Sequence, residues 1–333
     1  MLKSSFWVST VVQKTDTPSN SSTEKSLNRK DLLGIRNLSP DELTLILDAS
    51  SNMKAIVDGN NDQRTLPYSL ATLFYEPSTR TRVSFERAAR ALGMSVTHLS
   101  VQSSSVVKGE SLKDTALTLE ALGYDAIIVR HGSSGVPHFI SKCIPSAIIN
   151  AGDGINEHPT QALLDLFTIR EHKGKLEGLN VAILGDVKHS RVARSTITGL
   201  IKLGNKVKLC GPPTMIPLHI SNPNVTIART WKEAIRDSDV IYLLRIQQER
   251  QKTGLIPSIG EYARVYGMDT ERISLAKSDA IIMHPGPINR GVEISPELAD
   301  GQQTVILPQV TNGIAVRMAI LDLLLKNSSK KAS

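Results

Sequence analysis

The 333-residue chain is short of aromatics, with only 4% Phe, Trp and Tyr, and it has two cysteines. Both absences narrow what it can be. Cys143 and Cys210 lie far apart, without pairing or metal-ligand spacing, so a reducing, cytoplasmic setting is expected and neither thiol is assigned a role. His131, His138, His189 and His284 lack carboxylate or thiol partners at ligand spacing, so neither a metal nor a cofactor is expected. No apolar run approaches the roughly 18 residues of a membrane span. Gly185 stands alone rather than in G-x-G-x-x-G, no G-x-x-x-x-G-K-[ST] occurs, and no G-x-S-x-G elbow supports a covalent nucleophile. The net charge of +7 invites a nucleic-acid reading. However, Lys and Arg are scattered and few aromatics interleave them, so no nucleic-acid partner is expected. Small anionic substrates account for local arginines at least as well.

What is present alternates. A chain of this length suggests about two domains, and short apolar strand-length runs recur between helical patterns. This predicts an α/β protein of two doubly wound parallel-sheet domains with the site in the cleft between them. Ser39-Pro40-Asp41-Glu42 is an N-cap with proline at the first helical position. Strands are predicted over 69–74, 96–99, 126–129 and 147–150, and in the second half over 181–184, 206–209, 240–244 and 280–283. Ser111 is expected to cap a helix, another helix starts near Ser190, and a strongly apolar final helix over 314–325 is expected to return to the first domain. The stretch 102–109 reads as an exposed loop. Residues 1–28 are Ser/Thr-rich with little periodicity and read as a disordered leader. That leader has few acidic residues, as organellar transit peptides do, but lacks their arginines.

The chain is organised around Tyr75-Glu76-Pro77-Ser78-Thr79-Arg80-Thr81-Arg82. An apolar strand precedes it, and Val83, Phe85, Ala88, Ala89 and Leu92 follow at helical spacing up to Gly93. A helix start offers unpaired N–H groups and a partial positive charge. Two guanidiniums and several hydroxyls in that turn add donors matched to phosphate oxygens. A plain Ser/Thr cap with solvated arginines is the competing view; two arginines on one capped turn after a buried strand favour a phosphate cradle.

Ligands of parallel sheets gather beyond the C-terminal strand ends. Arg130 and His158 fall just past two such ends of the first half, and Arg191 and Arg245 follow strands of the second. Each alone has an ordinary explanation: an ion pair for Arg130, a helix cap for His158, a solvated side chain for Lys108, Arg191 or Arg245. Together they predict an anion-rich cleft.

These motifs resemble the transcarbamoylase family over about residues 30–326. The resemblance is carried by Ser78-Thr79-Arg80-Thr81-Arg82, Lys108-Gly109-Glu110-Ser111, Arg130-His131 and His158-Pro159-Thr160-Gln161. Asp186 through Arg191, Arg245-Ile246-Gln247 and His284-Pro285-Gly286-Pro287 extend it. Within the family the chain is similar to the aspartate-specific branch; the His-Cys-Leu-Pro segment and Ser-Met-Gly loop of the ornithine branch do not occur. The resemblance implies transfer of a carbamoyl group from carbamoyl phosphate to the α-amine of L-aspartate, without metal, cofactor or covalent intermediate. Ser78, Thr79, Arg80, Thr81 and Ser104 would hold the phosphate. Thr81, Arg130 and His158 would polarise the carbonyl oxygen, and Gln161 would hold the carbamoyl NH2. Lys108, Arg191, Arg245 and Gln247 would take the aspartate carboxylates, with backbone at Gly286 and Pro287 facing the amine. The catalytic set is then Arg80, Thr81, Lys108, Arg130, His158 and Gln161. Glycine at 286, where the family usually has leucine or alanine, leaves the stiffness of that loop open.

The resemblance further implies a homotrimer in which the loop of Ser104 and Lys108 enters a neighbour's site, and it admits a larger assembly with regulatory or dihydroorotase chains. The domains would be 29–172 with 309–326 for carbamoyl phosphate, and 173–308 for aspartate. Rival readings are a transcarbamoylase for another acceptor such as ornithine, and a non-catalytic trimeric scaffold. One expectation comes from charge alone. Glu76, beside an anion turn, needs a cation, and Arg191 or Arg250 across the cleft is expected to supply it.

Overall fold

Strand β1 (Ser69–Phe74) opens a parallel sheet with β2 (Ser95–Ser100), β3 (Ala126–His131) and β4 (Ala147–Asp153), in the order β2-β1-β3-β4. A second parallel sheet contains β5 (Asn180–Leu184), β6 (Lys206–Cys210), β7 (Val225–Ile227), β8 (Val240–Leu243) and β9 (Ile281–Met283), in the order β7-β6-β5-β8-β9. The computed structural model describes residues 27–59, 64–100, 109–246 and 254–329. The leader expected over 1–28 lies outside these but for its last two residues. Ser104, Lys108, Gln247 and Arg250 lie outside them too.

The helices of the first half are α1 (Pro40–Val57), α2 (Thr79–Ala91), α3 (Leu112–Ala121), α4 (Val136–Ser141) and α5 (Pro159–Lys173). In the second half α6 (Arg191–Lys202), α7 (Trp231–Ile235), α8 (Ile259–Tyr266), α9 (Thr270–Ile273), α10 (Pro296–Ala299) and α11 (Ile306–Ser329) follow. The starts are written locally. At α1 the Ser39 hydroxyl accepts from the Glu42 N–H at 3.1 Å, and the Glu42 carboxylate accepts from the Ser39 N–H at 2.7 Å. Such a reciprocal cap is worth about 1 kcal/mol. Ser111 and Ser190 cap α3 and α6 by the hydroxyl alone, accepting from the Asp114 and Ala193 N–H groups.

The strands are apolar because both faces are covered: Ala126, Ile127, Ile128 and Val129 of β3 are all fully buried. Helix α11 packs against α1, α2 and α5. One cluster of buried side chains runs from Leu70 and Ile128 through Leu166 and Leu321 to Ile183 and Tyr242, so the core is continuous between the sheets.

Three elements differ from the sequence reading by more than one residue. Strand β3 continues through Arg130 and His131, with Arg130 paired to Phe74, and β4 runs on to Asp153. Those strand ends carry polar side chains, so the apolar signal stops before the hydrogen-bonded ladder does. Helix α11 begins at Ile306, eight residues before the expected start, because Gln309, Thr311, Asn312 and Gly313 interrupt the apolar pattern there.

Strand order reverses between β1 and β3 in one sheet and between β5 and β8 in the other. At such a switch point the two flanking loops leave in opposite directions and a crevice opens. The turn after β1 and the start of α2 hold Glu76 to Thr81, and Arg130 lies at the end of β3. Arg191 opens α6 beyond β5, and Arg245 follows β8.

Candidate active site

The two crevices face each other across a cleft of about 750 Å3. Ser78, Thr79, Arg80, Thr81, Arg130, His158, Gln161, Arg191, Arg245, Gly286 and Pro287 all line it. Every site residue expected from the sequence that falls within the described residues is therefore in one place.

At the first crevice, Ser78 is the N-cap of α2, yet its side chain makes no capping hydrogen bond. A serine used only to end a helix would make that bond, so the hydroxyl and the first-turn N–H groups suit an anion. Arg80 lies near Arg245, and burial followed by the charge of Arg245 lowers its pKa. Like charges held together in this way are costly without an anion between them.

Arg130 leaves the end of β3, and its Nη1 donates to the Ala151 carbonyl at 3.2 Å. His158 precedes α5, with 4% of its surface exposed. Its backbone N–H donates to Ser195 Oγ at 2.9 Å, and Ser195 donates to Glu157 at 2.7 Å. Glu157 in turn accepts from the Ile35 and Arg36 N–H groups. The imidazole is held well below its ordinary pKa, first by burial and then by Arg130, Arg191 and Arg317, so it is neutral. Its Nδ1 has no hydrogen-bond partner among the described residues.

Arg191, 4% exposed, crosses between the halves. Its Nη2 donates to Glu76 Oε2 at 2.9 Å and its Nη1 to the Gly154 carbonyl at 3.2 Å. Glu76 also lies 3.6 Å from Arg130 Nε. The partner expected for Glu76 is thus found at Arg191. The pair is half-buried, with 22% of the Glu76 side chain exposed, so removing one member costs less than the roughly 3–5 kcal/mol of a fully buried pair. A side chain at Gly152 would meet the Arg191 guanidinium at 2.8 Å, so only glycine, at φ +115, lets that arginine lie flat against the β4 exit.

The opposite wall is the loop His284-Pro285-Gly286-Pro287, with a cis peptide between Gly286 and Pro287. His284 Nδ1 accepts from the Gly286 N–H at 2.9 Å, and burial with Arg80 and Arg245 nearby pushes its pKa down to about 3. Gly286 has φ +67, and a Cβ there would fall 1.8 Å from Arg80 Nη1. Arg80 occupies the space that a side chain at 286 would fill.

Sequence reasoning missed several members of this site. Arg317 of α11 lines the cleft, donates to Ser84 Oγ at 2.9 Å and lies over Phe85 with Cζ 5.0 Å from the ring centre. Burial lowers its pKa to about 10. Gln309, which lines the cleft, and the buried Asp165 and Tyr242 behind it were missed as well. Their only signal is a polar group inside an apolar run, as in Ala162-Leu163-Leu164-Asp165-Leu166-Phe167. Among the described residues lining the cleft, five are arginines and Glu76 is the one carboxylate. The arrangement can bind a small polyanion, polarise a carbonyl oxygen and hold a second carboxylated molecule beside it.

The comparisons with known proteins agree with this chemistry. A model of the carbamoyl-phosphate-binding domain of aspartate/ornithine carbamoyltransferases matches residues 30–171, and one of their Asp/Orn-binding domain matches 177–324. The aspartate carbamoyltransferase catalytic subunit of Ruminiclostridium cellulolyticum is 55% identical over 301 residues, spanning 90% of this chain and 96% of its own length. The aspartate transcarbamoylase of Trypanosoma cruzi in complex with carbamoyl aspartate and phosphate aligns with a TM-score of 0.80 at 32% identity, over 88% of this chain and 95% of that one. An ornithine carbamoyltransferase of Pyrococcus furiosus aligns with a TM-score of 0.82 at 28% identity, over 91% and 99%. With both family domains matched in order along most of its length, this chain belongs to the aspartate/ornithine carbamoyltransferase family.

Proposed function

We propose that the chain is an aspartate carbamoyltransferase, moving the carbamoyl group of carbamoyl phosphate onto the α-amine of L-aspartate in an early step of de novo pyrimidine synthesis. The observation that carries the reading is the pair of arginine-bearing switch points facing one cleft. One has the helix start and hydroxyls that suit a phosphate, and the other has two guanidiniums that suit a dicarboxylate.

The amine lone pair attacks the carbonyl carbon and a C–N bond forms. The C–O bond to the phosphate then breaks, the electron pair leaves on the phosphate oxygen, and the amine releases a proton. The protein supplies position and charge. Ser78, Thr79, Arg80 and Thr81 hold the phosphate and take up the charge that develops on it. Thr81, Arg130 and neutral His158 donate to the carbonyl oxygen as it becomes anionic; a neutral donor suffices because the arginines provide the charge. Gln161 accepts from the carbamoyl NH2. Arg191 and Arg245, with Gln247, bind the aspartate carboxylates, and the same cations would repel the ammonium side chain of ornithine. Ser104 and Lys108 complete the site from a neighbouring copy in a cytoplasmic homotrimer. The domain division in this reading is 29–172 with 309–326, and 173–308.

The test is carbamoyl transfer by the purified chain with L-aspartate and L-ornithine offered in parallel. Product with aspartate alone is the expected result. Product with ornithine would overturn the assignment of Arg191 and Arg245. No product with either would leave the scaffold reading standing.

A further inference from the structure

We propose that Asp165 is a positioning residue that turns the carbonyl end of the Gln161 carboxamide toward the cleft, so that the site recognises a carbamoyl group by its NH2. The inference deepens the proposed function and rests on its reading of Gln161 as the NH2 acceptor.

Gln161 and Asp165 stand four residues apart on α5, on one face of the helix. Asp165 is fully buried. Four donors converge on it from four elements. Gln161 Nε2 at 3.0 Å and Gln309 Nε2 at 2.8 Å reach Oδ1, while the Tyr242 hydroxyl at 2.7 Å and the Thr196 hydroxyl at 3.3 Å reach Oδ2. All four partners have a hydrogen to give, and the two amide nitrogens can only donate, so the hydrogen-bonding pattern fits a carboxylate that accepts. Burial pushes its pKa up to about 7 while the four hydrogen bonds pull it down.

A carboxamide has a donating end and an accepting end on one plane. With Nε2 engaged by a carboxylate that can only accept, flipping the amide would set oxygen against oxygen in a buried site. Gln161 therefore offers its carbonyl oxygen to the cleft that it lines. The second amide on the same carboxylate shows this polarity completed. Gln309 gives its Nε2 to Asp165, and its Oε1 accepts from the His284 N–H at 3.0 Å.

Acetyl phosphate is the probe that isolates the effect: it keeps the phosphate and the carbonyl of carbamoyl phosphate but carries CH3 in place of NH2. The affinities of both compounds are measured by calorimetry at pH 8 for the full-length chain, Asp165→Asn and Gln161→Leu. Asparagine at 165 can donate its own NH2 to Gln161 and reverse the amide. The expected result is a loss of about tenfold in carbamoyl phosphate affinity, one hydrogen bond's worth, with acetyl phosphate unchanged within about twofold. Equal losses for both ligands, or no loss for either, overturn the proposal. Gln161→Leu separates the two levels of the argument. If it leaves the preference for carbamoyl phosphate intact, the underlying reading of Gln161 fails. If it abolishes the preference while Asp165→Asn does not, the role of Asp165 alone fails. Should Asp165→Asn not fold, Tyr242→Phe and Thr196→Val strip the donors that fix Oδ2. Each should then lower the preference by about two- to threefold, and an unchanged preference in both is equally fatal.

Discussion

The two crevices are built alike and used differently. Each lies where strand order reverses, and each is lined by arginines beyond the C-terminal ends of its strands. In the first, the cations sit beside a helix start with a hydroxyl not spent on capping, in a turn whose sequence is contiguous from Ser78 to Thr81. In the second, Arg191 is engaged across the cleft by Glu76 and by the Gly154 carbonyl. The first crevice can meet an anion with local groups alone. The second is aimed by a carboxylate that belongs to the first. Similar topology therefore does not imply independent sites: one half sets the geometry of the other.

The largest expected effect comes from removing the local cation of the first crevice. Arg80→Ala should lower kcat by about 10²–10³-fold, in line with loss of a charge-stabilising donor, while the aspartate KM changes little. A kcat within a few-fold of wild type would show that the helix start suffices without the guanidinium. Next is the bridge. Glu76→Gln keeps the shape but removes the charge, and should raise the aspartate KM by about 10- to 100-fold, the range of a charge-assisted hydrogen bond. Carbamoyl phosphate binding should change far less; equal losses in the two substrates would mean that the crevices are not coupled through Glu76.

A third test asks whether the pair of crevices makes a complete site in one copy. Lys108→Ala and Arg80→Ala, each nearly inactive alone, should regain activity when dissociated and reassembled together if the proposed trimer shares its sites. Mixed trimers that form without activity would rule out sharing of sites.

The smallest effect concerns the carboxylate between the crevices. Asp165 titrates at about 7 in the folded chain, against about 4 for an unfolded aspartate. Between these values the folded chain holds a proton that the unfolded one has released. The contribution is therefore fully present below about pH 4, declines as pH rises to about 7, and is level above that. Urea midpoints of wild type and Asp165→Asn should accordingly diverge on going from pH 5.5 to 8, with wild type losing ground. Parallel curves would place the titration elsewhere.

Much of this was legible in the sequence because it is local. β1, the turn and α2 follow one another within 23 residues, and apolar spacing, a capping position and Gly93 each mark their part. The same holds for Ser39, Ser111 and Ser190. What escaped is where polarity and regular structure overlap. Arg130, His131 and Ala151 to Asp153 belong to strands but read as loop, since these strand ends face the site. Gln309 and Asn312 belong to α11 but read as a break, since they point to α5 partners such as Asp165 and Thr168. β7 is three residues long with two of them exposed, too little for a period to register. Asp165 was visible as a misplaced carboxylate in an apolar run. Its partners lie 77 and 144 residues away for Tyr242 and Gln309, and only folding brings them within reach.

The unbroken core between the sheets has a consequence for how the molecule comes apart. Two lobes joined by a linker would melt separately, and a ligand of one would shift only its own transition. Here Leu166, Leu321, Ile183 and Tyr242 are members of one buried cluster, so heating should give a single calorimetric peak. Phosphate alone, held in the first crevice, should raise the melting temperature of the entire chain.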